Sequence, residues 1–323
     1  MKKIKVGVVG VGYFGQFHVE KYAKMRGVEL VGVADVNPAR ATEIARRYRT
    51  QPFPHHTELL ERVQAVTIAV PTPLHHAVAK DFLLRGADVL LEKPISTTLE
   101  EADELIQLAE SKDLILQIGH QERFNGAMLA LAGMVQDPVY IESNRLGPFL
   151  MRGTEVDVVL DLMIHDLDII LSWVQSKVKW VHPVGIPVLT PHIDIANVRV
   201  EFDNGCTANL TASRVSRERM RKIRLFQPKG YLSIDLLSQK VSSAVKEEAE
   251  GGKVPKIIIR KVPVKKVDPL KMEMESFLQS VRDRRPPKVT GGVGKQALDV
   301  GLQIVQGIKE LIKKRGSQGS IKG

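Results

Sequence analysis

The sequence predicts an α/β chain of two domains, a doubly wound parallel sheet followed by an α+β domain built on a mostly antiparallel sheet. Three observations carry that expectation. Over residues 1–120, short β-branched runs alternate with amphipathic helical stretches, which is the pattern of a parallel sheet covered on both faces. From residue 121 to 323 the runs alternate apolar and polar, and Asn204-Gly205 separates two of them as a hairpin turn does. Length is the third: 323 residues exceed one ordinary core, and 43% hydrophobic with 26% charged residues is a globular composition.

In the first domain the strand candidates are 4–9, 30–34, 65–70, 89–91 and 114–118, with helices over 38–48, 74–85 and 99–112. The last of these begins after Ser96-Thr97-Thr98, where capping hydroxyls are expected, and carries acids in its first turn. In the second domain the strand candidates are 139–144, 178–184, 195–202, 207–213, 223–226, 231–234 and 257–262. Two helical stretches, 272–282 and 295–314, close the chain on either side of the Pro286-Pro287 breaker.

Composition excludes several function classes. No run of eighteen apolar residues exists, so no membrane-spanning helix is expected. The start MKKIKVGVVGVG is basic and then apolar, like a signal peptide. Its glycines and the lack of a small-residue cleavage site mark it instead as a first strand, and a cytoplasmic protein is expected. A single cysteine, Cys206, leaves no intramolecular disulfide to form. The net charge of +10 lies beyond residue 120, because the first 120 residues carry 15 basic and 15 acidic side chains. One cluster, Arg214 to Arg224, suits either a phosphorylated substrate or an exposed loop. The other, from Lys309 to the end, suits a solvated helix terminus. With aromatics at 5% and no basic stripe interleaved with them, no nucleic-acid partner is expected.

The first chemical signal is GVGYFG at residues 10–15, a G-x-G-x-x-G turn between a strand and a helix, with Asp35 twenty residues beyond Gly15. That context predicts a Rossmann dinucleotide site. Gly10 permits the tight turn, Gly12 lets the pyrophosphate approach the backbone, and Gly15 lets the helix close on the sheet. Asp35 accepts hydrogen bonds from the ribose and disfavours a 2′-phosphate, so NAD is expected in preference to NADP; Arg40 nearby argues the other way. Tyr13, Phe14 and Val36 complete the expected adenosine and phosphate side.

The second signal is Lys93, in Leu91-Glu92-Lys93-Pro94 at the carboxyl end of a strand, where an open parallel sheet places ligands. Its ammonium can hydrogen-bond a hydroxyl or polarise a carbonyl. The third is VVLDLMIHDLDIIL at 158–171, a helix apolar almost all round. At 100° per residue Asp161, His165 and Asp168 share one face, whereas Asp166 falls about 140° away and is solvent-facing or structural. Dehydrogenation of a secondary alcohol needs a base for the hydroxyl proton, and a histidine beside an acid suits that need. A buried Asp–His pair without chemistry remains the alternative for these residues alone, and no metal site is expected.

In order along the chain, the glycine turn, Asp35, Val70-Pro71-Thr72 with His75, Glu92-Lys93-Pro94, Gly119-His120 and the D-x-x-x-H-x-x-D helix resemble the glucose–fructose oxidoreductase, inositol dehydrogenase and rhizopine-catabolism family. The resemblance implies a second domain with an open sheet that mediates dimers or tetramers. It also implies that Lys93, Asp161 and His165 act on the reacting hydroxyl. Val70, Pro71, Thr72, His75, Glu92, Lys93 and Gln121 are implied around the nicotinamide, and His120, Arg123, Asn125 and Arg152 join the catalytic three on the substrate side. Residues 145–149 and 152–171 are most similar to the family's UDP-N-acetylglucosamine 3-dehydrogenases of lipid A precursor synthesis. A small-molecule sugar or nucleotide-sugar substrate is therefore expected. Inositol or a free sugar is the alternative substrate, and an NAD-binding regulator or an NAD-using glycosidase is the alternative class.

Overall fold

The computed structural model describes residues 3–150, 156–247 and 256–319. The chain forms two compact units, one of Met1–Gln121 with Leu270–Leu298, the other of Glu122–Pro269 with Asp299–Gly323.

The first unit is a six-stranded parallel sheet of β1 (Ile4–Val9), β2 (Val28–Ala34), β3 (Gln51–Phe53), β4 (Ala65–Ile68), β5 (Asp88–Glu92) and β6 (Leu116–Gly119), in spatial order 3-2-1-4-5-6. Its helices are α1 (Gly15–Lys24), α2 (Pro38–Tyr48), α3 (His75–Leu84) and α4 (Leu99–Ser111). The expected parallel sheet is present, with β3 added at its edge. Asn37 caps α2 by accepting the Arg40 N–H. Thr98 and Glu101 cap α4 reciprocally, as the hydroxyl run before it predicts. Strand β4 ends before Pro71 and Pro73, and a 3₁₀ turn over Thr72–Leu74 leads into α3.

Helix α7 (Pro269–Asp283), which the sequence pattern placed within 121–323, clusters with this first unit. The reason is its apolar stripe: Met274, Phe277 and Leu278 are buried with Val6, Val8, Tyr22 and Leu90. Residue separation along the chain is long, but the core gained is continuous.

The second unit carries an eight-stranded sheet in the order β14-β13-β12-β11-β7-β10-β9-β8. These strands are β7 (Tyr140–Leu146), β8 (Val178–Ile186), β9 (Ile195–Phe202), β10 (Thr207–Ser213), β11 (Met220–Gln227), β12 (Gly230–Asp235), β13 (Lys240–Glu247) and β14 (Lys256–Val262). All pairs are antiparallel except β7 with β10. The β9–β10 hairpin turns over Asp203-Asn204-Gly205, with Gly205 at φ +86° and Phe202 N–H donating to the Cys206 carbonyl. Helices α5 (Gly126–Leu129), α6 (Ile164–Val174) and the later part of α8 (Gly291–Gly319) belong here. One sheet face is core: Ala196, Val198, Val200 and Phe202 alternate inward against Met163, Leu167, Ile304 and Ile308. On β8, Trp180, Val184 and Ile186 remain exposed. Among the described residues no helix is long and apolar enough to cross a membrane.

Candidate active site

In the first unit the expected cofactor residues gather at the carboxyl ends of the strands. Chain order reverses there between β1 and β4, which is the crevice where open α/β sheets take ligands. Each glycine of the turn meets a different constraint. Gly10 has φ +79°, and a Cβ on it would lie 2.7 Å from the Ala69 carbonyl oxygen. A Cβ on Gly15 would sit 1.8 Å from the Gly10 carbonyl oxygen, so only glycine closes this strand-to-helix turn. Gly12 faces open space, where a phosphate could approach the backbone. Among the described residues the N-cap of α1 has no side-chain cap hydrogen bond, so the leading N–H groups of the helix suit an anion. Tyr13, Phe14 and Val36 are exposed around this turn. These residues fit a nicotinamide dinucleotide.

Asp35 is fixed at the end of β2 by two backbone donors, Val11 N–H at 2.8 Å and Asn37 N–H at 2.9 Å. Arg40 donates to the Val11 carbonyl (2.9 Å), to Glu43 (2.8 Å) and to Gln16 (3.1 Å). Its guanidinium is thus matched by an acid of its own helix.

Across the reversal, Val70, Pro71 and Thr72 follow β4, while Glu92 and Lys93 end β5. The Lys93–Pro94 peptide is cis. His75 is 1% exposed; its Nδ1 lies 2.7 Å from the Pro94 carbonyl oxygen and its Nε2 2.9 Å from that of Val70. Burial holds this imidazole below its ordinary pKa, against the opposing pull of the two carbonyls. The neutral ring donates to one of these carbonyls and packs against the other, so His75 is held within the unit between two loops. Glu92 faces His18 of α1, whose Nε2 lies 3.0 Å from Glu92 Oε1. His18 was not among the residues singled out from sequence. Its signal was its place one turn after Gly15, on a helix face that packs inward. His120, 1% exposed, and Gln121 follow β6.

The second unit holds the helix motif, and its first turn is wider than the sequence pattern assumed. Residues Val159–Met163 form a π-helical turn that runs into α6. A π turn rotates less per residue, so the angle expected between Asp161 and His165 on an ideal α-helix does not apply across it. Asp161 is half-buried, His165 is 9% exposed and Asp168 1%. Asp166 resolves to the structural reading: it is buried and pairs side-on with Arg145 of β7, Nε to Oδ2 at 3.0 Å and Nη2 to Oδ1 at 2.8 Å. Arg145 also donates to Glu122 at 3.1 Å, and Arg221 reaches the same carboxylate at 3.0 Å. Burial acts to raise the Glu122 pKa, but the two guanidinium groups hold it below its ordinary range.

The remaining substrate-side expectations divide. Arg123 donates to the Asp168 carbonyl at 3.2 Å and lies 3.8 Å from its carboxylate, beside the motif. Asn125 does not face a ligand: it is 2% exposed, caps α5 through the Ala127 N–H, and donates to Glu122 and to the Leu236 carbonyl. Arg152 lies outside the described residues. Half of the basic run from Arg214 is compensated. Arg214 is buried against the Val156 carbonyl and Asp194, Arg221 pairs with Glu122, and Arg224 pairs with Glu142. Arg217, Arg219 and Lys222 of that run are exposed.

Two family models match the chain. The oxidoreductase family model with an NAD-binding Rossmann fold covers residues 4–120, and the GFO/IDH/MocA C-terminal domain model covers 141–233. A UDP-N-acetylglucosamine 3-dehydrogenase of Acidithiobacillus ferrooxidans is 37% identical over 97% of this chain and 100% of its own length. A solved structure of that organism's enzyme superposes with a TM-score of 0.90 at 38% identity, over 96% of this chain and 99% of its own. The myo-inositol 2-dehydrogenase of Thermotoga maritima is 25% identical over 95% of this chain and 97% of its own. On both domains and over nearly its whole length, the chain belongs to the GFO/IDH/MocA family of NAD-binding Rossmann oxidoreductases and is a dehydrogenase acting on CH–OH groups.

Proposed function

We propose that this dehydrogenase oxidises a secondary hydroxyl of a nucleotide sugar, with the 3-hydroxyl of UDP-N-acetylglucosamine as its substrate position and NAD as its cofactor. The observation that carries the substrate is the full-length likeness to the Acidithiobacillus enzyme, in a chain that has Lys93, Asp161 and His165 together. Asp35 held by two backbone donors, and Arg40 already paired with Glu43, favour ribose hydroxyls over a 2′-phosphate.

The chemistry the nicotinamide supplies when bound is hydride acceptance. The chain's part is to hold the hydroxyl and to move its proton. Lys93 donates a hydrogen bond to the reacting oxygen and stabilises the negative charge that grows on it. His165, 9% exposed, takes the hydroxyl proton in its neutral form. Asp161, four residues earlier, accepts from the sugar. Pro71, Thr72 and Gln121 complete the nicotinamide side, and His120, Arg123 and Arg152 the substrate side. The open face of the second unit's sheet, with Trp180, Val184 and Ile186 exposed, pairs with a second copy of the chain.

Incubation with NAD and a panel of UDP-sugars, inositols and aldoses, followed at the NADH absorbance, tests the reading. UDP-N-acetylglucosamine is expected to give the highest rate. Lys93→Met and His165→Asn should each lower kcat by about 10²–10⁴-fold with NAD affinity retained. Tight NAD binding without turnover of any sugar would make the protein a regulator. Highest turnover of an inositol would move the substrate to the second reading.

A further inference from the structure

The carboxylate that precedes Lys93 is confined from three directions. From α1, His18 places Nε2 3.0 Å from Glu92 Oε1, with the His18 side chain 1% exposed. From its own strand end, Glu92 Oε2 accepts the Lys93 N–H at 3.3 Å. From β6, the absence of a side chain at Gly119 makes room: a Cβ there would lie 3.1 Å from both Glu92 Cα and Oε2.

His18 Nδ1 is buried and has no hydrogen-bond partner among the described residues. An imidazolium would put a second N–H at that nitrogen and leave it unsatisfied, which costs about 1–3 kcal/mol or more for a charged group. The arrangement that satisfies the geometry is a neutral imidazole donating from Nε2 to an ionised Glu92. That pair carries one net negative charge, next in sequence to an ammonium. The titratable groups that face Glu92 are His18 from α1, Lys93 from its own strand end and His75 from α3. Burial pushes the Glu92 carboxyl up, but the His18 hydrogen bond and the Lys93 charge hold it below its ordinary range.

We infer that His18 is a positioning residue for the dehydrogenation: through Glu92 it fixes the turn that carries Lys93 and keeps an ionised carboxylate beside that ammonium. Helix α1 then serves the site twice. Its first turn offers N–H groups to the dinucleotide phosphates, and its next turn anchors the lysine's carboxylate. The inference rests on the reading that Lys93 serves the reacting hydroxyl, so its test includes a control on that reading.

The experiment is the pH dependence of kcat, with the panel sugar turned over fastest, for the full-length protein and its His18→Leu, His18→Gln and Lys93→Met variants. Leucine cannot donate to Glu92, whereas the glutamine amide reaches about as far as Nε2 and can. Without its donor Glu92 takes a proton at higher pH. Because the proton acceptor governs the acidic limb, that limb should keep its place in His18→Leu but fall more steeply at its acid end as Glu92 takes its own proton, with kcat at neutral pH about tenfold lower and the sugar KM little changed. His18→Gln should recover most of the kcat and the slope of the limb, and the NAD Kd should stay within about threefold throughout. A His18→Leu enzyme with the wild-type profile and kcat overturns the inference, as does a loss expressed wholly in NAD Kd. Should His18→Leu not fold, Glu92→Gln removes the charge with little change of shape and must lower kcat across the whole profile; an unchanged kcat overturns the inference equally. Near-normal turnover by Lys93→Met would instead remove the reading beneath it. A dead Lys93→Met beside a normal His18→Leu removes this inference alone.

Discussion

Asp161, Asp166 and Asp168 stand within eight residues on one helical stretch, and their surroundings give them different chemistry. Asp166 is tied side-on to a buried guanidinium, where an uncompensated charge would cost several kcal/mol. Asp161 is half-buried, whereas Asp166 and Asp168 are almost wholly enclosed, so of the three it is the one with access to solvent. The same contrast separates Asp35 from Asp194. Asp35 keeps acceptor capacity beyond its two backbone donors, so Asp35→Ala should weaken NAD and raise the relative use of NADP at least tenfold; an unchanged ratio of the two kcat/KM values would move the preference elsewhere. Asp194 accepts the N–H groups of Val188, Leu189 and Thr190, and although burial pushes it up, these donors pull its pKa down from 3.8 to about 2. A folded pKa below the unfolded one means stability that is present in full above about pH 4 and lost as pH falls toward 2. Urea unfolding should show about 2 kcal/mol of this contribution disappearing over that window, and an Asp194→Asn variant should lack that dependence.

Among the elements, α4 and the glycine turn were legible in the sequence because their local chemistry is complete within a few residues. Thr98 accepts the Glu101 N–H at 3.2 Å while Glu101 accepts the Thr98 N–H at 3.3 Å. Thr98→Ala should therefore cost about 1 kcal/mol in thermal or urea unfolding, with no change in NAD affinity. Strands β3 and β13 escaped notice for the opposite reason. Gln51–Phe53 is three residues long and holds a proline, and Lys240–Glu247 reads KVSSAVKE, too polar to signal a strand. Both form because a neighbouring edge offers unpaired backbone groups, β2 for one and β12 for the other. The π turn before α6 was hidden too, since a run apolar on all sides has no period to betray a change of pitch.

For the whole molecule, the two sheets answer to different rules. A parallel sheet is covered on both faces by its own crossover helices, as the first unit is. The eight-stranded sheet needs cover on one face only: Ala196, Val198 and Val200 lie on that face against Met163, Leu167 and Ile304, while Trp180, Val184 and Ile186 stay exposed. That outward face should close against a second copy. Trp180→Glu should shift the protein toward monomer in size-exclusion chromatography with light scattering, and a wild-type protein that is monomeric at micromolar concentration would sink the proposal. The helix at 269–283 joins the first unit although the sequence pattern puts it with the second, because burial of Phe277 and Leu278 depends on shape and not on chain order.

By itself the sequence determined the two-sheet architecture, the dinucleotide turn and the identity of the polar groups on its apolar background, since each rests on residue type and short spacing. Tertiary structure alone decided which of those groups are reserved for the scaffold. Asn125 and His75 turned out to be engaged with backbone, Asp166 with Arg145, and three of the six basic side chains of the Arg214–Arg224 run with nearby acids. It also brought His18 to Glu92 across 74 residues of chain. Spacing along a chain reports what can share one helix face or one turn; whether a charge is satisfied depends on partners that only packing delivers.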